Sequence, residues 1–234
     1  MAAQIKFQAR PHSNPIKPTQ FIGLPDDPDA ATTLFSSFFS TESTDPVSIV
    51  DVGCGYGALL PHLSESYPNK HILGIEIRKP VRTYVENFLI AERKERGLCK
   101  NTYVYRANAM KHLCRLFHKA QLEQLYFLYP DPNLKTKHAR RRILNHHLLS
   151  EYAYVLKPNG VLYFACDLQE VFNFGVAQLE QHSLFERVSS EELKGDPIFH
   201  KLNTLTADAE RAVRKGSGAF KCAFRRVETV VPRF

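Results

Sequence analysis

At 234 residues, 44% of them hydrophobic and 24% charged, the chain suits one well-buried α/β-sized domain and is too short for two ordinary ones. A balance of 31 Lys and Arg against 24 Asp and Glu gives a formal charge of +7, which favours an anionic partner, most simply nucleic acid. The five cysteines (54, 99, 114, 166 and 222) are widely spaced with no C-x-x-C, which argues against a zinc site or a disulfide frame; no apolar run approaches the length of a membrane span, so a soluble intracellular protein is expected.

In chain order, residues 1–24 carry Lys6, Arg10, His12 and Lys17 with three prolines and no acid, and predict an extended basic arm. Residues 25–46 turn acidic and Ser/Thr-rich, a linker with one short helix near 30–39. Thus 1–46 reads as arm and linker, and 47–234 as the folded domain. From Val47 strands and helices alternate: a strand at 47–52, a glycine turn and helix, a strand at 71–77, a helix at 79–97, a strand at 102–107 and a helix at 110–117. A fourth strand at 123–129 is followed by P-D-P-N, then by a long helix through 140–156 stopped by K-P-N-G at 157–160. A strand at 161–166, a helix at 168–182, the segment LFERV, a helix near 206–214 and a strand at 219–228 complete the chain. This alternation predicts a doubly wound, mostly parallel sheet with an antiparallel C-terminal strand pair.

Ligands of such sheets bind beyond the carboxyl ends of the strands. The first strand ends in Gly53, Gly55 and Gly57, a turn that lets backbone approach a nucleotide-like cofactor where a Cβ would collide. Gly53-Cys54-Gly55-Tyr56-Gly57-Ala58 also satisfies the dinucleotide pattern G-x-G-x-x-[GA], which leaves a methyl donor, a nicotinamide and a tight structural turn open. Asp51 tilts the choice, because a carboxylate in a buried strand end needs a cation, which S-adenosylmethionine (SAM) supplies and a pyrophosphate does not. Glu76 ends the second strand, placed either to accept from ribose hydroxyls or to pair with Arg78 or Lys79 at the surface. Asn108 and Ala109 end the third and offer an amide and a backbone N–H to an adenine edge. In Tyr129-Pro130-Asp131-Pro132 two prolines hold one carboxylate at the sheet edge. Lys135, Lys137, His138, Arg140, Arg141 and Arg142 follow with no acid between Pro132 and Ser150, a basic run placed to position phosphates.

These residues resemble the tRNA (guanine-N7)-methyltransferase family of class I SAM-dependent methyltransferases. The matching pieces are DVGCGYG (51–57), GIEIR (74–78), RANAMK (106–111), FLYPDP (127–132) with its basic run, EYAYVLKPNG (151–160), LFERV (184–188), HSNP (12–15) and FRRVE (224–228). The wording of NAMK, EYAYVL and HSNP is similar to the eukaryotic branch, which implies a nuclear enzyme with a WD-repeat, non-catalytic subunit. The resemblance further implies SAM over Gly53, Glu76, Ile77, Arg78, Asn108, Ala109 and Leu128, with Asp131 catalytic, guanine in the tRNA variable loop as substrate, and Thr206 and Asp208 completing the cofactor site. The chain departs from the family where LTADAE stands for T-x-E or T-E-E, making Asp208 one methylene shorter and leaving Glu210 as a substitute. It departs again where Asn133 and Leu134 replace an aromatic or histidine pair. It also has no Trp, and so lacks the Asp-Trp segment that precedes the core in the eukaryotic branch.

Guanine N7 carries a lone pair and no proton, so its methylation needs positioning and electrostatics more than a base. Asp131 would accept from guanine N1–H and N2–H. Of the rival readings, a nicotinamide oxidoreductase requires a substrate domain and a catalytic His or Tyr–Lys pair that the chain does not place. An adenine amino-methyltransferase would be expected to show [DN]-P-P-[YF] after the fourth strand. A non-catalytic RNA-binding protein would keep the basic run and lose Glu76 or Asp131.

Overall fold

The computed structural model describes residues 13–16, 21–41, 43–205 and 219–228, with the side chains of 136 and 137 outside that description. Its strands are β1 (Val47–Val52), β2 (His71–Ile75), β3 (Thr102–Tyr105), β4 (Leu122–Leu128), β5 (Leu156–Cys166), β6 (Phe185–Arg187) and β7 (Phe220–Arg226). They form one sheet in the order β3-β2-β1-β4-β5-β7-β6. β1 to β5 are parallel, β7 runs antiparallel to β5, and β6 antiparallel to β7, as the strand pattern predicts.

Alternation along the strands builds a core on each face. Val50, Val52, Leu73 and Ile75 join the cluster covered by α1 (Pro28–Ser36), α4 (Ala109–Leu116), α5 (His146–Val155) and α6 (Gln169–Glu180). Ile49 and Ile72 join the opposite cluster with α2 (Leu60–Ser66) and α3 (Lys79–Arg96). Because β2 and β4 flank β1, the chain reverses its winding direction there, and the crevice beyond the ends of β1 and β4 is the switch point at which ligands bind such sheets. The glycine turn after β1 and the P-D-P-N loop after β4 are thereby neighbours, although about 75 residues separate them in the chain.

Two expectations need correction. The long helix through 140–156 is instead a 3₁₀ segment, Thr136–Arg141, followed by a bend between Arg142 and Asn145 and then by α5. Asn145 causes the break: extended itself, it caps α5 by accepting from Leu148 N–H at 3.2 Å, so the basic run lies on a compact turn and not on an α-helix. The K-P-N-G stop lies inside β5, where Leu122 pairs with Leu156 but Gln124 pairs with Val161. The intervening residues bulge out through Asn159 at φ 65°, so the strand resumes after the bulge. Among the described residues no helix is long and apolar enough to cross a membrane.

Candidate active site

A cleft of about 560 Å³ opens at the switch point, within the size range of small-molecule sites. Its floor is the glycine turn. Gly53 and Cys54 N–H both donate to the Ile75 carbonyl, at 2.8 and 3.1 Å, which fastens the turn across the end of β2. Gly57 is required twice over: its φ is +78°, and a Cβ there would lie 2.7 Å from Val85 Cγ1 on α3. Gly53, Gly55, Glu76, Ile77, Arg78, Asn108, Ala109, Leu128 and Asp131 all border this one cleft.

Two carboxylates in its wall are almost wholly buried, Asp51 at 3% and Glu76 at 2% exposure. Burial first, then the charge of Glu76, pushes Asp51 up to about 7. A cationic ligand group beside Asp51 would reverse that shift. Glu76 is gripped by Arg78, so the surface-pair and cleft-wall readings of this acid merge into one arrangement. Cys54, between them in the loop, has its thiol pushed well up by burial and then by Asp51 and Glu76, which keeps it from acting as a thiolate.

Asn108 is less available to a ligand than its strand-end position suggests. As the N-cap of α4 it accepts from Met110 N–H at 3.1 Å, and its amide donates to the Pro15 carbonyl at 2.7 Å. The Asn108 backbone is engaged as well, its N–H donating to His112 Nδ1 at 3.2 Å and its carbonyl accepting from Lys111 and His112 N–H, so at this edge the neighbouring Ala109 is left to face a ligand. The Pro15 contact belongs to a wider attachment of the N-terminal segment. Lys111 donates to Ile16 O, Arg106 stacks 4.8 Å from the Phe21 ring, and Tyr105 OH donates to Gly23 O at 2.7 Å. Ser13 and Pro15 accordingly form part of the cleft wall, a contribution the sequence shows only as the HSNP resemblance. Tyr56, Asp167 and Leu168 also line the cleft. Asp167 was detectable, since it follows the fifth strand as Asp131 follows the fourth.

The loop after β4 is tightly held. Tyr129 N–H donates to Ala165 O at 2.8 Å, extending the β4–β5 pairing by one residue, and both Tyr129 (φ 49°) and Asn133 (φ 41°) adopt left-handed backbone. The Asn133 amide reaches Asp131 O at 3.2 Å and Arg141 O at 3.4 Å. Of the basic run, Lys135 and Arg140 are exposed and His138 is half-buried. Arg141 lines the cleft, and its buried Nε has no hydrogen-bond partner among the described residues. Arg142 turns back on the loop, donating to Asn133 O at 3.2 Å and Leu134 O at 3.0 Å with its guanidinium 4.2 Å from the Phe174 ring. The side chain of Lys137, and Thr206 and Asp208 entirely, lie outside the described residues.

A methyltransferase family model (Methyltransf_4) matches residues 45–222. The chain is 42% identical to a tRNA (guanine-N(7)-)-methyltransferase of Bombyx mori, over 94% of each chain. It is 36% identical to the Arabidopsis thaliana protein of that name, over 96% of this chain and 91% of the relative. A Zea mays protein of the same name is 37% identical over 94% of this chain and 91% of its own.

Proposed function

Because this chain belongs to the tRNA (guanine-N7)-methyltransferase family, we propose that it transfers a methyl group from SAM to N7 of a guanine in tRNA. One observation carries the reading at the level of the site. A single cleft joins two buried carboxylates on the β1–β2 side to Asp131 and Arg141 on the β4 side.

The residues fit SAM. Asp51 would answer its ammonium, Glu76 its ribose hydroxyls, and Ile77, Ala109 and Leu128 its adenine, while the glycine turn gives backbone access without side chains. When bound, SAM supplies the methyl group on a sulfonium. Asp131 accepts from guanine N1–H and N2–H, which orients N7 into the cleft and stabilises the positive charge that the purine gains. No residue need remove a proton, because N7 has none. Arg141, which lines the cleft, pairs with the phosphate of the extruded nucleotide, while Lys135 and Arg140 hold the flanking backbone. A guanine in an exposed loop suits this arrangement, since its edges can be read once unstacked.

The similarity of HSNP, NAMK and EYAYVL to the eukaryotic branch supports two finer proposals, a WD-repeat non-catalytic subunit as partner and the nucleus as the working compartment. The reaction itself is tested by incubating the protein with radiolabelled SAM and unfractionated tRNA, then digesting to nucleosides. Label in 7-methylguanosine is expected; label confined to another nucleoside overturns the assignment.

A further inference from the structure

We propose that Arg142 is a positioning residue that clamps the loop carrying Asp131, and is not a contact to RNA phosphate. The inference rests on the reading that Asp131 orients the guanine.

The backbone of the loop requires a clamp. Tyr129 and Asn133 both hold left-handed backbone without being glycine, at φ 49° and 41°. Such conformations persist only where surrounding contacts over-determine them. Asn133 secures the inner side of the loop by bridging the Asp131 and Arg141 carbonyls. Its outer side, the carbonyls of Asn133 and Leu134, is met by Arg142 Nε and a terminal nitrogen of the same guanidinium.

The donor chemistry is specific to arginine. One rigid planar group donates to two successive carbonyls along its edge and stacks its face on Phe174. A lysine would keep the charge and lose both the fork and the stacking face. The Phe174 shelf is itself fixed, because α6 packs on β5 through its neighbour: a Cβ on Gly175 would lie 2.6 Å from Phe164 Cε1 and 3.1 Å from Leu144 Cδ1. Asp131, Pro132, Arg142 and Phe174 border a common crevice against β5, which places the guanidinium beside the stretch of backbone that carries the carboxylate. Three consecutive arginines thus divide their work: Arg140 faces solvent, Arg141 the cleft, and Arg142 the loop.

The test uses Arg142→Lys, which preserves charge, and Phe174→Leu, which changes none, with Arg142→Ala to read the salt slope and Arg140→Ala as a reference for a phosphate contact. Three quantities are read: the single-turnover methylation rate with the tRNA KM, the salt dependence of tRNA binding, and hydrogen exchange across residues 128–135. Both clamp variants should slow transfer by about ten- to a hundredfold, the scale of a small misplacement of a reacting group. They should leave KM and the log–log salt slope unchanged, and speed exchange in 128–135 several-fold. Wild-type rate and exchange in Arg142→Lys would overturn the clamp. So would an Arg142→Ala slope flattened by about 0.7–0.9, the signature of one lost phosphate contact. If Arg142→Lys fails to fold, Phe174→Leu decides by the same readouts. The exchange measurement needs no turnover, so it decides the clamp even if the wild-type chain makes no 7-methylguanosine and the proposed function fails.

Discussion

Arg78 closes on the Glu76 carboxylate three times, through its backbone N–H at 2.8 Å, its Nε at 3.0 Å and a terminal guanidinium nitrogen at 2.9 Å. The pair stands in the cleft wall and not on the outer surface, so the contact fixes which way the carboxylate points. A buried acid held in one orientation at the end of β2 is placed to accept from a ribose.

Glu76→Ala should therefore weaken SAM binding by about one to two decades, the loss of one or two charge-assisted hydrogen bonds. Calorimetry with SAM on wild type and variant measures it. Unchanged affinity would leave Glu76 as a support for Arg78 alone.

Asp51 makes the site pH-sensitive. Its carboxyl is raised to about 7 by burial and by Glu76, and in the proposed site only the ionised form would attract the SAM ammonium. We predict that SAM affinity climbs as pH rises through about 7 in the wild type and stays flat in Asp51→Asn. The ligand-free protein should show the opposite trend. A carboxyl raised above its unfolded value contributes stability that is present below that value and is lost as pH rises to the folded one. Asp51→Asn should then gain in melting temperature relative to wild type from pH 5 to pH 8; thermal melts at the two pH values check this, and a constant difference would contradict it.

Gly57→Ala combines a left-handed backbone with a 2.7 Å contact to Val85 Cγ1, so it should cost on the order of 1–3 kcal/mol. The expected outcome is a lower melting temperature together with weaker SAM binding, since the turn cannot keep its shape. An unchanged melt would show that α3 yields easily at Val85.

Replacing Arg140 and Arg141 together by alanine should weaken tRNA binding, with SAM affinity little changed. Each lost phosphate contact removes about 0.7–0.9 from the log–log salt slope. Binding titrations across a salt series read this, and an identical slope would return the two residues to a solvated turn.

The sheet and its cleft were legible because their signals are local. Val47–Val52 followed by Gly53, Gly55 and Gly57 states a strand and a tight turn, and each later strand announces itself by a short apolar run. Asp131 was legible because two prolines leave its carboxylate few other places to go. What the sequence does not show are contacts between residues distant in the chain. Asn108 meets Pro15, 93 residues away, and its capping bond with Met110 N–H leaves little of the amide for a ligand. Arg142 looked like Arg140 and Arg141 because nothing in R-R-R shows that one of the three stacks on Phe174. The overlong helix before α5 is different. Asn145 carried the capping signal, but the apolar spacing of Ile143, Leu144, Leu148 and Leu149 reads through it as one continuous face.

The central claim is that Asp131 serves methyl transfer by orienting guanine and stabilising its charge. Asp131→Asn keeps the shape of the side chain, removes the charge, and retains only part of the acceptor role toward N1–H and N2–H. Single-turnover methylation at several pH values, with SAM binding measured alongside, tests this most directly. The account predicts a rate lower by about two to four decades, SAM affinity nearly constant, and no recovery of the rate as pH rises. Methyl transfer by Asp131→Asn at the wild-type rate would contradict it and leave Asp131 a turn residue.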